Sequence, residues 1–525
     1  MNYRLLFAVI LPVLWISCTQ QAATSSYEKL GLEELTIPEL HQGYESGSFT
    51  IEEVVQAYLK RIDAIDKNGP ELNSILTINP DAIELAQELD KELSAGNSKG
   101  SLFGVPVILK DNIDTHDKMP NTAGATVMAG SMPLQDAFIV ERLREEGAII
   151  LAKANLSEWA NFHSSFSSSG WSALGGQTKN PYDITRNPCG SSAGSGAAVS
   201  ANLTMVAIGT ETNGSITCPS NNNGLVGIKP TVGLLSRSGI IPISFTQDTP
   251  GPMTRTVTDA AITLGAMVGI DEKDSKTKAS EGHFYTDYTQ FLNEGALAGK
   301  RIGVFNGPRG RHFRVDTLFN NNLRLIESQG ATLVELDQIS KENAGGDSYT
   351  VLLYEFKDGL NSYFSSLGPD AKVKDMDDLI AKTFADPIEM KYHDHQLLID
   401  ANKKGDLDSE EYQKALKDML RKTREEGIDR VMEEYDLDAI ISITGGPAWK
   451  TDHTNGDNFG MSSSSPAARA GYPNITVPMG YIDGLPVGIS FFGKAWTEPQ
   501  LIELAYSFEQ LTKVRKAPEF RNYEF

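Results

Sequence analysis

The first hundred residues carry hydrophobic positions every three or four residues, which is the spacing of one face of an α-helix. The pattern is clearest in one segment, where the apolar side chains are Ile51, Val54, Val55, Tyr58, Leu59 and Ile62. Thr50 and Glu53 have the spacing of a capping box, in which each side chain bonds the backbone of the other residue. We therefore predict a helical pattern over residues 27–98.

Short apolar runs bounded by glycine or polar residues follow, and such runs are typical of strands buried on both faces. The predicted strands are 105–109, 148–152, 301–305, 332–334, 438–443 and 474–478. The predicted helices between and after them are 136–146, 315–329 and 501–511. Residues 340–435 are charged and helix-rich, so we predict an insertion that covers one side of the core. The alternation of strands and helices indicates an α/β fold with a largely covered sheet.

The first 18 residues have the pattern of a targeting segment. Arg4 supplies a positive charge, residues 5–16 are apolar but short for a membrane span, and Cys18 follows. This order resembles a bacterial lipoprotein processing site with Cys18 as the lipidated residue, and cleavage after Ala22 or Ala23 is the alternative. We therefore expect an exported bacterial protein, either periplasmic or attached to the membrane only through this lipid.

Composition narrows the choice of partners. Apolar residues make up 40% of the chain and charged residues 22%, which excludes a disordered chain. The 47 basic and 69 acidic side chains give a formal net charge of −22. A polyanion repels phosphate backbones and anionic lipid, which argues against nucleic acid and membrane surfaces as partners.

Cysteine and histidine patterns give little support for a disulfide framework or a metal site. The chain has only three cysteines, and we expect Cys189 and Cys218 to pack as small apolar side chains. His393 and His395 form a His-x-His pair in a charged helical region, where a surface position is favoured over metal binding. The sequence contains no HExxH or CxxC motif. We therefore expect no metal and no organic cofactor.

Two segments rich in glycine and serine carry the candidate nucleophile. Residues 187–199 form a Gly/Ser loop that leads into an alanine-rich helix, and residues 206–216 form an apolar strand followed by a turn. Free backbone N–H groups at such turns and helix N-termini can hold a developing oxyanion. Ser215 on the turn is therefore a candidate for attack on a carbonyl carbon.

An activated serine needs a base, and two candidates compete. Residues 190–194 fit G-x-S-x-G with Ser192 as nucleophile and a histidine as base, but no strand directly precedes this motif. Lys110 follows the apolar run 105–109, at the strand end where α/β folds place chemistry. Burial there would lower the pKa of Lys110 and leave a neutral amine that accepts protons.

Together these segments resemble the amidase signature family. The resemblance extends from about residue 30 to residue 512. The motifs that carry it are Gly104 to Asp114, Gly190 to Ser200, Gly209 to Ser215 and Gly224 to Thr231. It implies a mixed β-sheet core covered by helices on both faces, built as a single domain over residues 27–515.

The same resemblance implies a Ser-cisSer-Lys triad. By motif, Ser215 is the nucleophile, Ser191 is the bridging serine with a cis peptide bond, and Lys110 is the base. The implied oxyanion hole is formed by the backbone of Thr212, Asn213, Gly214 and Ser215. The implied reaction is hydrolysis of a carboxamide through an acyl-enzyme, with release of ammonia and without a metal or organic cofactor.

Within the family the sequence is similar to bacterial peptide amidases, which hydrolyse C-terminal amides of peptides. The segments that suggest this are 155–161, 170–172, 176–182, 236–244, 247–253 and 353–357. Gly170 and Trp171 in one of them are candidate substrate contacts. Asn213 stands where many members have Asp, which bears on substrate preference more than on the role of its backbone N–H.

Other functions stay open at this point. Small, fatty or aryl amides are alternative substrates. An amidotransferase-like glutaminase subunit would share the triad, but it requires partner subunits, and the predicted export segment argues against it. A catalytically dead binding protein is disfavoured because all three triad positions are filled. We infer a small amide or peptide amide as the ligand and no obligate protein partner.

Overall fold

The computed structural model describes residues 26–523, and a mixed sheet of eleven strands lies at its centre. The strands in these residues are β1 (Ile75–Ile78), β2 (Pro106–Lys110), β3 (Ile149–Ala154), β4 (Trp171–Ser172), β5 (Gly176–Gln177), β6 (Val206–Glu211), β7 (Val226–Lys229), β8 (Thr249–Thr254), β9 (Arg301–Phe305), β10 (Thr332–Leu336), β11 (Ala439–Ile443), β12 (Asn474–Ile482) and β13 (Leu485–Phe492). The α-helices are α1 (Ser26–Lys29), α2 (Ile37–Ser46), α3 (Ile51–Arg61), α4 (Ala82–Ser94), α5 (Phe138–Glu145), α6 (Ala193–Ser200), α7 (Thr217–Asn222), α8 (Val257–Met267), α9 (Phe313–Ser328), α10 (Gly345–Ser366), α11 (Met376–Ala385), α12 (Gln396–Asn402), α13 (Glu410–Thr423), α14 (Asp429–Glu434), α15 (Ser465–Ala470) and α16 (Glu498–Thr512). Strands β4 and β5 pair with each other in a separate ribbon.

The large sheet has the order β1-β3-β2-β6-β8-β7-β12-β13-β11-β9-β10. Strand β2 runs parallel to β3 and β6, and β9 runs parallel to β10 and β11. The other neighbours are antiparallel. Every residue of β2, β3 and β6 is buried, as expected of strands covered on both faces. The predicted α/β fold with a mixed sheet flanked by helices is confirmed.

The N-terminal region differs in part from the helical pattern. Thr36 and Thr50 cap α2 and α3 with complete capping boxes. However, residues 75–78, inside the stretch expected to be helical, form strand β1 and pair antiparallel with β3 at the sheet edge. Four residues are too few to show a strand period against the helical pattern on either side.

Strand β8 was missed because it contains Pro250 and Pro252. Proline has no N–H to donate to a ladder, so a sequence with two prolines argues against a central strand. The structure accommodates them by pairing β8 with β6 along its length, whereas β7 pairs with β8 only at Met253 and Thr254, beyond both prolines.

Helices α10 to α14 occupy the predicted insertion. Two edge-to-face aromatic pairs join α10 to the segment that follows β3: Trp159 with Phe364, at 6.3 Å between ring centroids, and Phe162 with Phe356, at 5.0 Å. The insertion therefore packs against the loop that continues from β3. The single-domain boundaries 27–515 and the insertion limits 340–435 stay predictions.

Membrane features were sought in residues 26–523 only. No helix there is long and apolar enough to cross a membrane. The predicted targeting segment, including Cys18, lies outside the described residues.

Candidate active site

Lys110 ends β2 and is fully buried. Its Nζ donates to Ser191 Oγ at 2.8 Å, to Thr210 Oγ1 at 2.8 Å and to the Thr210 carbonyl at 3.2 Å. Burial lowers the pKa of Lys110 to about 7, although the charges of Asp248 and Glu211 act in the opposite direction. A substantial share of this amine is therefore neutral near pH 7, and the neutral form can accept a proton from Ser191.

The two adjacent serines of the Gly/Ser loop face different partners. Ser191 is fully buried and follows Gly190 through a cis peptide bond. Ser192 Oγ donates to the Thr210 carbonyl and accepts from the Thr210 N–H, both at 3.2 Å, so the backbone of β6 occupies this hydroxyl. Ser192 is also fully buried and contributes no wall to the cavity beside Ser215. This arrangement disfavours the G-x-S-x-G alternative.

Ser215 is half-buried on the turn between β6 and α7, and it lines a cavity of about 420 Å³ together with Gly190 and Gly214. Within residues 26–523, the backbone N–H groups of Asn213, Gly214 and Ser215 donate no hydrogen bond. They are therefore free to bind an oxyanion. The Ser215 hydroxyl likewise has no hydrogen-bond partner among these residues, so its relay contact with Ser191 is not formed in this state.

Glu211 fixes the far side of this turn. Its Oε2 accepts from the N–H groups of Ile216 and Thr217, both at 2.9 Å. The carboxylate thus satisfies the amides that follow Ser215 and leaves those at 213–215 without an acceptor. The sequence analysis missed this residue, although an acidic side chain at the end of a predicted buried strand was a usable signal.

The side chains of Thr212 and Asn213 anchor the turn in two directions. Thr212 Oγ1 donates to Asp248 Oδ1 at 2.5 Å. Burial raises the pKa of Asp248 to about 6. Asn213 Oδ1 accepts from Ser464 Oγ at 2.7 Å, away from the cavity. Neither side chain is therefore directed at an oxyanion, and the two residues could serve that group only through the backbone.

Gly170 and Trp171 contribute no wall to the cavity beside Ser215. Trp171 is 4% exposed and packs edge-on against Tyr392 at 5.6 Å and His393 at 4.9 Å between ring centroids. The Gly170 N–H donates to Ser157 Oγ at 2.8 Å. The structure therefore gives both residues a packing role, in place of the expected substrate contact.

The expected surface position of His393 and His395 is wrong. His393 is 5% exposed and His395 is fully buried, because the segment between α11 and α12 packs beneath the loop that follows β3. The connection is direct, since the Leu397 N–H donates to the His163 carbonyl at 3.1 Å. The local charge pattern could not indicate this long-range packing.

Cys189 and Cys218 form a disulfide, contrary to their expected role as separate apolar side chains. Their Cα atoms are 5.9 Å apart, and 29 positions separate them along the chain. The bond joins the loop before Ser191 to α7 after Ser215, and both sulfur-bearing residues line the cavity. It thereby ties together the two backbone segments that carry the candidate serines.

Loss of this disulfide should destabilise the fold. The chain-entropy relation for a loop of this length predicts that Cys189→Ser/Cys218→Ser lowers the free energy of unfolding by about 3–4 kcal/mol. Urea denaturation under non-reducing conditions measures the change. Wild-type protein unfolded with a reductant is the matched control and should behave like the double variant. Equal unfolding midpoints for the oxidised wild type and the double variant would contradict the stabilising role.

Known proteins show close similarity to this chain. The solved structure of the native peptide amidase from Stenotrophomonas maltophilia is 45% identical, with a TM-score of 0.90 over 94% of this chain and 99% of that one. A peptide amidase structure in complex with the competitive inhibitor chymostatin gives a TM-score of 0.91 at 45% identity, over 93% of this chain and 100% of that one. A protein of Arabidopsis thaliana described as a "probable amidase" is 40% identical over 93% of this chain and 92% of its own length. These matches cover nearly the whole described fold.

The relatives also correct the expected localisation. Proteins that are 35–40% identical come from the plant Arabidopsis thaliana and from the fungi Schizosaccharomyces pombe and Arthroderma benhamiae. This finding contradicts the prediction of a bacterial, exported lipoprotein, and it gives no support to a signal peptide, a periplasmic location or a lipid on Cys18. The prediction depended on one short apolar run before a cysteine, which is a weak pattern.

The site and the comparisons lead to the same assignment. The family model described as Amidase matches residues 53–502, most of the chain. The match includes Lys110, Ser191 and Ser215 and the strands that carry their segments. The chain belongs to the amidase signature family of amide hydrolases.

Proposed function

We propose that the protein is a serine amidohydrolase that removes the C-terminal amide group of peptides and releases ammonia. The observation that carries the proposal is the hydrogen bond from the buried amine of Lys110 to Ser191 Oγ, beside a turn with free N–H groups at Ser215. The 45% identity to a peptide amidase supports the substrate class.

The proposed reaction begins with proton transfer. Neutral Lys110 accepts the proton of Ser191, while Ser191 takes the proton of Ser215, whose oxygen attacks the amide carbon. A rotation of the half-buried Ser215 side chain brings its hydroxyl within reach of Ser191 when substrate binds. The buried position of Lys110 is needed because a permanently charged amine could not act as a base.

The tetrahedral intermediate then collapses to an acyl-enzyme. The backbone N–H groups at 213–215 bind its oxyanion, with the Thr212 N–H at the edge of the same turn. The proton held by Lys110 returns through Ser191 to the leaving nitrogen, which departs as ammonia. Water attacks the acyl-enzyme by the same relay and releases the peptide acid, so one difficult step becomes two easier ones.

The walls of the cavity favour a peptide over a long alkyl chain. Most lining side chains are short and polar: Asn161, Ser164, Ser165, Ser167, Ser169 and Asn455. Such groups can hydrogen-bond to peptide N–H and C=O groups and fix their orientation. Aromatic side chains at the rim are largely exposed: Phe166 at 54%, Tyr349 at 44% and Phe459 at 48%. They offer apolar contacts to substrate side chains near the scissile amide.

Alanine variants test the assignment of the serines. Ser191→Ala and Ser215→Ala should each lower kcat by at least about 10³-fold, because residues that act as a unit each remove most of the rate. Ser192→Ala is the matched control, since it removes a buried hydroxyl from the same loop, and it should be much milder. An active Ser215→Ala variant beside an inactive, folded Ser192→Ala variant would establish the G-x-S-x-G alternative instead.

The pH profile tests Lys110. Because burial lowers its pKa to about 7 and the neutral form is the active one, kcat/KM should rise with pH through about 7 and then level off. Lys110→Arg keeps the charge but cannot release a proton near neutral pH, so it should be as inactive as Lys110→Ala. Thermal melting checks that both variants fold. Substantial activity of a folded Lys110→Arg variant would show that charge, and not proton transfer, is the role of this residue.

Glu211→Gln tests the positioning of the turn. An amide oxygen can still accept from Ile216 and Thr217, whereas Glu211→Ala leaves both N–H groups without this partner. We expect Glu211→Gln to keep most activity and Glu211→Ala to lose at least about 10-fold in kcat with a smaller change in KM, since the oxyanion contacts act in the transition state. An unchanged kcat in Glu211→Ala would contradict this positioning role.

A substrate panel with ammonia release as readout tests the substrate class. We expect kcat/KM for short peptide amides to exceed that for fatty amides, aryl amides and glutamine by at least about 100-fold, or about 2.7 kcal/mol of transition-state discrimination. Preference for a fatty or aryl amide would establish a different amidase. Preference for glutamine would favour an amidotransferase-like role, to which the 33% identity with a glutamyl-tRNA(Gln) amidotransferase chain from Thermoanaerobacter pseudethanolicus draws attention.

A further inference from the structure

A second group of chemically versatile side chains lies outside the catalytic machinery. Glu158 and His163 stand on the loop after β3, and His395 stands at the start of α12 in the insertion. All three are essentially inaccessible to solvent. The hydrolytic mechanism uses none of them. Their contact therefore calls for a separate physical explanation.

Three ligand atoms converge in this cluster. His163 Nδ1 lies 3.2 Å from His395 Nδ1, and Glu158 Oε1 lies 3.8 Å and 3.9 Å from these two nitrogens. A triangle with these sides has a circumscribed radius of about 2.1 Å, which is the length of a bond from Zn²⁺ to nitrogen or a carboxylate oxygen. A single ion in the plane of the three atoms would reach all of them at bonding distance.

The carboxylate supplies an independent observation. Glu158 Oε1 is buried and has no hydrogen-bond partner, and neither has Oε2 of the neighbouring Glu389. No lysine or arginine in residues 26–523 pairs with either side chain. Buried carboxylates without a partner are costly, and a divalent cation would offset that cost.

The other polar atoms of the cluster hold the ligands in position. His395 Nε2 lies 2.9 Å from the Glu389 carbonyl, so it carries the ring proton and leaves Nδ1 with a free lone pair. Glu158 Oε2 accepts from the Ala173 N–H at 2.6 Å, which orients Oε1 toward the two histidines. Metal-bound histidines commonly donate their second ring nitrogen to a backbone carbonyl in this way.

We propose that Glu158, His163 and His395 form a structural site for one divalent transition-metal ion of the zinc class. Two imidazole nitrogens and one carboxylate oxygen are a ligand set that such ions accept. Because the site is sealed from solvent, the ion is acquired as the chain folds and stays bound.

The ion would fasten the insertion to one wall of the active-site cavity. Asn161 and Ser164 lie beside the ligands on the loop after β3, and both line the cavity next to Ser215. Ser164 Oγ also donates to Asp394 Oδ1 at 2.7 Å, directly beside His395. A bond through the metal would hold this wall more firmly than these hydrogen bonds alone.

Zinc content of the purified full chain tests the site. Protein expressed with added Zn²⁺ and passed over a chelating resin should retain one zinc per chain by elemental analysis. His163→Gln and His395→Gln should each raise the Kd for Zn²⁺ by at least about 100-fold. His393→Gln, which alters a buried imidazole in the same cluster but no proposed ligand, should retain the metal.

A spectroscopic measurement covers the case in which the ligand variants fail to fold. Wild-type protein loaded with Co²⁺ alone should show the intense visible absorption of a low-coordinate site. Wild-type protein that holds no zinc after the resin and shows no such absorption would overturn the proposal, as would equal zinc retention by wild type and a folded His163→Gln/His395→Gln variant. Equal loss of zinc in His393→Gln and His163→Gln would also overturn the assignment of these three ligands. In the first case the 3.2 Å contact between the histidines is a hydrogen bond.

Discussion

Burial of one amine without a carboxylate in contact is the constraint on which the site depends. Lys110 ends a strand whose five residues are all inaccessible, and its amine bonds only hydroxyl and carbonyl oxygens of Ser191 and Thr210. A charged amine there would lack compensation, so the environment favours the neutral form. The same environment that is costly for a lysine thus provides a base that works near neutral pH.

The sheet brings the reacting groups together. Because β2 and β6 are parallel neighbours, their carboxyl ends meet at one edge of the sheet, which places Lys110 beside Thr210. The turn after β6 carries Ser215, and Glu211 and the disulfide constrain that turn from its two sides. Local strand order therefore positions the base, and long-range bonds position the nucleophile.

The sequence predicted features that depend on local pattern and missed those that depend on distant contacts. Lys110 was predictable because five apolar residues precede it, and Ser215 because a glycine-containing turn presents it. The Cys189–Cys218 bond and the burial of His395 arise where separate loops pack, which no local period encodes. Strand β8 was hidden by prolines whose missing donors only the full sheet could accommodate.

The pKa of Lys110 is the most direct test of this account. It can be measured by NMR titration of protein with ¹³Cε-labelled lysine, with the signal assigned by its loss in Lys110→Met. The assignment is needed because Lys229 is also buried, and burial lowers its pKa to about 8. The account predicts a midpoint for Lys110 near 7. A midpoint near the ordinary value of about 10.4 would contradict it, because the amine would then be charged at the pH of catalysis.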